Sequence, residues 1–150
     1  MPPRIEAKRR PAKVLFVCIG NSCRSQLAEA LARHTAADVI EPASAGLAPL
    51  GEIAEPVAIV LEERGLRMDG QYSKGLRQEA RAAADLIVNM TGRPGKSLFA
   101  GEQGKVEDWD VCDPYGSDLE VYRQICDEIE ARLGDLAGRL RGQPARARKL

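Results

Sequence analysis

Cys18 and Arg24 bracket five residues, Ile19-Gly20-Asn21-Ser22-Cys23, and Ser25 follows directly. A loop of this spacing can curl so that its backbone N–H groups converge on one tetrahedral oxyanion. Each residue type then has a chemical task. Cys18, as a thiolate favoured by a helix N-terminus and a nearby guanidinium, attacks phosphorus and forms a phosphocysteine. Arg24 grips two oxygens of the transferring group through its planar fork, which a lysine cannot do. Gly20 lets the backbone approach closely, and Asn21 tolerates the left-handed conformation that such a turn needs. Ser25 can donate a hydrogen bond to the thiolate. The loop lacks the G-x4-G-K-[ST] pattern, so a nucleotide-binding Walker loop is not indicated. The plainer reading of Cys18 is a buried strand cysteine acting as a small hydrophobe. The arginine, glycine, asparagine and serine at the required offsets weigh against it.

A leaving group needs a proton. With one histidine in the chain, a carboxylic acid is the better source. Asp113 is the candidate, in the loop Trp109-Asp110-Val111-Cys112-Asp113-Pro114-Tyr115. Pro114 stiffens this loop, and Tyr115 can line the entrance. An Asp-Pro turn without chemistry fits the same residues, and spacing alone does not separate the two. His34 reads as a solvated helix residue. The four cysteines, Cys18, Cys23, Cys112 and Cys126, are too sparse for a disulfide-stapled secreted fold. They form no C-x2-C pair, and with a single histidine a structural zinc site is not expected. Reduced cytoplasmic thiols are the expectation.

These residues need elements to hold them. Val14–Cys18 is a short apolar run that reads as a buried strand, and a helix follows from about Ser25 to Ala37. Asp38–Ser44 reads as a second strand, Pro49–Pro56 as a loop, and Val57–Arg64 as a helix that Pro56 opens and Gly65 ends. Residues 78–83 read as a helix, Asp85–Met90 as a third strand, Lys96–Ala100 as a short helix and Val106–Trp109 as a fourth strand. Ser117-Asp118-Leu119-Glu120 fits a capping box with the Ser117 hydroxyl at the cap. Tyr122, Ile125, Ile129, Leu133, Leu136 and Leu140 then recur at helical spacing. Alternating strands and helices imply an α/β protein with a parallel sheet covered by helices on both faces.

The chain has 150 residues and a formal charge of zero, unevenly placed. Residues 1–13 and 141–150 each carry a net +4, and the body between them a net −8. We read one domain over 14–140 with a flexible basic tail on either side. No aromatics interleave the tail charges, so nucleic acid is not an expected partner. No apolar run is long enough to cross a membrane, and the basic N-terminal stretch lacks the apolar segment of a secretory signal.

Residues 14–30 (VLFVCIGNSCRSQLAEA), Ser44-Ala45-Gly46 and Asp113-Pro114-Tyr115 closely resemble the motifs of the low-molecular-weight protein tyrosine phosphatases and the related thioredoxin-coupled arsenate reductases. The resemblance spans about residues 14–140. It implies a doubly wound four-stranded parallel sheet and catalysis without metal or other cofactor. It implies Cys18 as nucleophile, Arg24 as phosphate ligand and Asp113 as acid and then base. It implies that Asn21 and Ser44 hold the loop's shape, that Ser25 supports the thiolate, and that Cys23 can form a reversible disulfide with Cys18. Departures from the pattern matter too. Residues 47–55 contain no aromatic to sandwich a phosphotyrosine ring. Ser22 stands where tyrosine phosphatases of the family usually carry isoleucine; a small polar residue there also resembles bacterial arginine phosphatases and arsenate reductases. Gln26 resembles the reductases, but no cysteine occurs between Cys23 and Cys112, so their thiol relay is missing. The sequence therefore favours a phosphomonoester hydrolase acting on phosphotyrosine or phosphoarginine, with phosphorylated protein or a small phosphoester as partner. The alternative is an arsenate reductase that uses the same loop, binds arsenate in place of phosphate, and draws on an external thiol. A phosphate- or protein-binding module without turnover would not need Cys18, Arg24 and Asp113 together.

Overall fold

Residues 10–68 and 70–142 are described by a computed structural model. Strand β1 (Ala12–Cys18) is followed by α1 (Arg24–Thr35), β2 (Ile40–Gly46), α2 (Glu55–Glu63) and α3 (Gln78–Ala83). Then come β3 (Leu86–Asn89), α4 (Gly95–Leu98), a 3-10 turn at Gln103–Lys105, β4 (Val106–Asp108) and α5 (Leu119–Leu140). The four strands are parallel in the order β2-β1-β3-β4. The chain leaves β1 toward β2 on one side and returns to β3 on the other. The crevice beyond the carboxyl ends of β1 and β3 is thus the switch point at which such sheets bind ligands.

Period-two alternation in β1 builds two cores. Val14, Phe16 and Cys18 face the larger, closed by Leu27 and Leu31 of α1, Val57, Val60 and Leu61 of α2, and the apolar stripe of α5. Leu15 and Val17 face the smaller, closed by Ile87, Ala84 and Phe99. Both faces are covered, unequally: α3 has no fully buried residue and α4 spans four residues. The expected doubly wound four-stranded sheet is present.

Several boundaries differ from expectation. β2 runs Ile40–Gly46, two residues later than the sequence suggests, because Ala36 to Val39 turn out of α1 and Asp38 is drawn to Arg141. Pro42 is tolerated in β2 because that strand is an edge. The cap of α5 is the Asp118 carboxylate, which accepts from the Val121 amide at 3.2 Å, and not the Ser117 hydroxyl. An acidic side chain one residue on also complements the positive end of the helix dipole. Gly65, with φ +77, ends α2 as expected. Its amide bonds Glu62 O while the Leu66 amide bonds Leu61 O, a Schellman arrangement. Most of both basic tails lies outside the described residues. Of their described part, Ala12 and Lys13 belong to β1, Arg10 pairs with Asp85, and Arg141 pairs with Asp38. No helix among the described residues is long and apolar enough to cross a membrane.

Candidate active site

β1 delivers Cys18 to the switch point and α1 begins at Arg24, so the five residues between them must turn sharply. Asn21 makes the turn with φ +47, the one positive φ outside glycine among the described residues. The outer side of the loop is fully bonded. The carbonyls of Cys18, Ile19, Gly20 and Ser22 accept from the amides of Leu47, Ala48, Leu50 and Ala54. The Asn21 carbonyl accepts from Gln26 Nε2 at 3.1 Å, and the Cys23 carbonyl from the Leu27 amide at 2.9 Å. With every carbonyl directed outward, the amides of residues 20–24 are left without a protein acceptor and line an anion cradle at the start of α1. Gly46 is required here: a Cβ would stand 2.7 Å from Asn21 N and from Ile19 O. That close approach accounts for the glycine of Ser44-Ala45-Gly46. A Cβ on Gly20 would meet the flexible Leu50 side chain at 2.9 Å.

The Cys18 sulfur lies 2.9 Å from Ser25 Oγ. Ser25 Oγ accepts a hydrogen bond from Asn21 Nδ2 at 2.7 Å, so its own proton is free to point at the sulfur. Asn21 is oriented in turn, since its Oδ1 accepts from Gln26 Nε2 at 2.9 Å and the Lys74 amide at 2.8 Å. Gln26, fully buried, also donates to Tyr72 O and accepts from Gln71 Nε2 at 2.6 Å. Cys18 is thus served by a chain of fixed amides reaching into residues 71–74.

Arg24 is 4% exposed, and its Nη1 donates to Met90 O at 2.5 Å and Val111 O at 3.1 Å. These two carbonyls, one beyond β3 and one before Asp113, anchor the guanidinium in the lining of the cleft. Its Nε has no partner, and neither has the Ser22 hydroxyl one of good geometry, although the Cys23 thiol lies beside it. Buried donors left open in this way are what an oxyanion would satisfy. Asp113 Oδ2 is 3.6 Å from Arg24 Nη2, and its side chain is half exposed. Oδ1 accepts from the Tyr115 amide at 3.1 Å, which fixes the carboxyl in an Asx turn above the cleft. Cys18, Ile19, Gly20, Arg24, Asp113 and Tyr115 all line one cleft of about 210 Å³. No cluster of three or more metal-ligating side chains occurs among the described residues.

Cys23 is buried, with its sulfur 3.4 Å from the Tyr122 hydroxyl. Burial pushes the Cys23 thiol up, and burial likewise pushes the Tyr122 phenol up. No disulfide joins Cys18 and Cys23; all four cysteines are free. The Ser44 hydroxyl makes no hydrogen bond to the loop itself. It donates to Glu29 Oε1 at 2.5 Å and accepts from Lys74 Nζ at 3.3 Å, so it reaches Asn21 only through residue 74. Glu29, 6% exposed, also takes Arg33 Nη2 at 2.6 Å. Burial lowers the affinity of the Lys74 amine for its proton, and Glu29 opposes this. His34 is exposed and bonds Arg67 O through Nε2. The sequence reading missed the positions of Gln71, Lys74 and Glu29. Only Glu29 leaves a trace, as an acidic residue one turn after Ser25 on the buried side of α1.

Fold and site together define a small enzyme of the cysteine-loop phosphatase class. The family model for low molecular weight phosphotyrosine protein phosphatase matches residues 13–146, and the chain belongs to that family. Its relatives differ in what they are named for. A glutaredoxin arsenate reductase from Synechocystis is 34% identical over 131 residues, covering 85% of this chain and 98% of that one. The arginine phosphatase from Geobacillus stearothermophilus superposes with a TM-score of 0.79 at 31% identity, covering 88% of this chain and 94% of that one. A mutant arginine phosphatase with a phosphorylated active-site serine superposes with a TM-score of 0.77 at 30% identity, covering 86% and 95%.

Proposed function

We propose that the protein hydrolyses phosphorylated side chains of proteins, phosphotyrosine or phosphoarginine, through a phosphocysteine at Cys18. The observation that carries this reading is that every loop carbonyl is bonded to protein donors, while the amides of 20–24 and Arg24 Nε have no protein acceptor around the cleft that Cys18 lines. The Cys18 thiolate attacks phosphorus, and the bond from phosphorus to the leaving oxygen or nitrogen breaks. Asp113 gives its proton to that leaving atom. Water then attacks the phosphocysteine while Asp113 takes back a proton, and phosphate departs as the thiolate is restored. Arg24 and the loop amides stabilise the charge on the three equatorial oxygens in both steps. The similarity to a phosphatase with a phosphorylated active-site serine supports a covalent intermediate at this position.

The walls of the cleft bear on the substrate. Leu50 and Tyr115 flank it, both more than half exposed, and Tyr115 is the one aromatic that lines it. A ring sandwich of two aromatics is not available. The small Ser22 lines the cleft with Tyr115 and adds no second flat wall for a ring. This favours phosphoarginine over phosphotyrosine, in keeping with the arginine phosphatase among its relatives. Four free thiols fit a cytoplasmic setting.

A second reading is arsenate reduction, favoured by the relative of that name. The same cradle accepts arsenate, but two electrons must then come from thiols. With no cysteine between Cys23 and Cys112, an external thiol has to supply them. Purified, reduced protein is tested side by side for release of p-nitrophenol from its phosphate ester and for arsenite formation with thioredoxin or glutathione and glutaredoxin supplied. Ester turnover lost in Cys18→Ser, without arsenite, supports the hydrolase. Arsenite formation with feeble ester turnover reverses the order of the two readings.

A further inference from the structure

Beside the phosphate cleft lies a second, larger hollow. The two share Ser22, Leu50 and Tyr115 in their walls, so they adjoin. The second measures about 630 Å³ against about 210 Å³ for the first, too large to be filled by the phosphorylated side chain alone. One wall is the segment after β2 and the start of α2; the other is the turn after Asp113, with Tyr122 at its base.

Three observations converge on what this groove takes. Two of the four exposed large hydrophobic side chains among the described residues, Leu50 at 52% and Tyr115 at 60%, stand at its junction with the cleft, as apolar rims do at docking surfaces. Glu52 and Glu55 line it, both exposed, and among the described residues neither forms an ion pair or a side-chain hydrogen bond. Some carboxylates elsewhere, such as Glu63, Asp127 and Glu107, are taken up by arginines, while Glu41, Glu62 and Glu79 are not among the described residues, so it is the place of Glu52 and Glu55 in the groove that matters. The third observation is that Ser22, Leu50 and Tyr115 border both spaces, so a chain whose phosphoryl group sits in the cleft has the groove as its adjoining space. An acidic, apolar-rimmed groove adjoining a phosphate cradle matches a chain that carries its phosphoryl group into the cleft and positive charge beside it. The charge pattern also separates the two ends of the site, with Arg24 and the loop amides at the anionic end and Glu52 and Glu55 at the other.

We propose that the groove binds the protein segment flanking the phosphorylated residue, and that Glu52 and Glu55 select lysine or arginine in that flank. The proposal rests on the hydrolase reading of the cradle and names the sequence context of its substrate. Each exposed carboxylate contributes one solvent-screened ion pair, so together they favour a basic over an acidic flank by about tenfold in kcat/KM at low salt. The preference shrinks at high ionic strength.

The test uses the full chain and three short peptides with arginine, alanine or glutamate flanks, each built once around phosphotyrosine and once around phosphoarginine. p-Nitrophenyl phosphate, which has no flank, is run beside them. The expected order of kcat/KM is arginine, alanine, glutamate for whichever central residue is hydrolysed, and the combined Glu52→Gln, Glu55→Gln variant loses most of that order. If the ester and the peptides are turned over but the three flanks are equal, the groove proposal is overturned and the hydrolase reading stands. If the order survives in the double variant, the selection lies elsewhere and the proposal is again overturned. If neither the ester nor any peptide is hydrolysed, the hydrolase reading itself fails and carries the groove proposal with it.

Discussion

Gln26 is the place where a change outside the reacting groups should reach Cys18. Gln26→Leu removes the amide at nearly constant volume, and the structure allows each consequence to be counted. Tyr72 O keeps a bond from Lys74 Nζ, and Gln71 Nε2 keeps one to the Gln26 carbonyl. Asn21 Oδ1 keeps the Lys74 amide. The Asn21 carbonyl alone is left with no donor, in a residue that is 0% exposed. One orphaned buried carbonyl costs about 1–3 kcal/mol, so a stability loss near 2 kcal/mol is expected in urea unfolding. The catalytic effect travels separately, through the loss of one of the two bonds that orient the Asn21 amide toward Ser25. A partial loosening of the Ser25 hydroxyl against the Cys18 sulfur is worth about 1.4 kcal/mol, or about tenfold in kcat/KM. A double-mutant cycle separates the two effects. Asn21→Gly keeps the backbone conformation and the carbonyl but deletes the relay. In that background Gln26→Leu should still destabilise the protein yet cost little further activity, a coupling of about 1 kcal/mol. Activity losses that simply add, or a Gln26→Leu variant with wild-type kcat/KM, refute the chain from Gln26 through Asn21 and Ser25 to Cys18.

Other perturbations follow from the same geometry. Asp113→Ala should slow esters with poor leaving groups far more than p-nitrophenyl phosphate, read as a steeper dependence of kcat/KM on leaving-group acidity; equal losses would remove Asp113 from the acid role. Gly46→Ala forces a Cβ into the loop backbone 2.7 Å away, and should lower stability by about 1–3 kcal/mol and weaken competitive inhibition by phosphate. The Lys13 amide, and Arg10 with it, hold the Asp85 carboxyl below the usual carboxylate range. The stability this adds is present above about pH 3.9 and is lost as pH falls through the lower folded-state value. Asp85→Asn should therefore flatten the acid limb of the stability profile, most visibly at low ionic strength.

The geometry of the proposed site was legible in the sequence because most of it is local. Cys18, Asn21, Arg24 and Ser25 sit within eight residues on a strand–turn–helix, where spacing alone sets geometry. Asp113 was legible as a carboxyl in a proline-stiffened loop, but its approach to Arg24 depends on β3 and β4 lying side by side, which spacing does not encode. The support beneath the loop was not legible at all. Gln26, Gln71 and Lys74 meet through packing across 45 and more residues, and each has an ordinary surface-residue type. Ser44 was tied to the loop by resemblance, and the structure gives it a longer route through Glu29 and Lys74. The choice between Ser117 and Asp118 at the start of α5 failed for a different reason: both are good caps, and the turn built on Gly116 starts the helix so that Asp118 takes the Val121 amide, where a Ser117 cap would have taken that of Glu120.

The central claim is that Cys18 carries the phosphoryl group. Asp113→Ala, mixed with p-nitrophenyl phosphate and quenched within the first turnover, should accumulate the intermediate, because the good leaving group departs unaided while water attack loses its base. Mass spectrometry of the digested protein is then expected to find one phosphoryl group on the peptide that contains Cys18, with p-nitrophenol released in equal amount. Release of p-nitrophenol with Cys18 unmodified, or a phosphoryl group on another residue, would contradict the account.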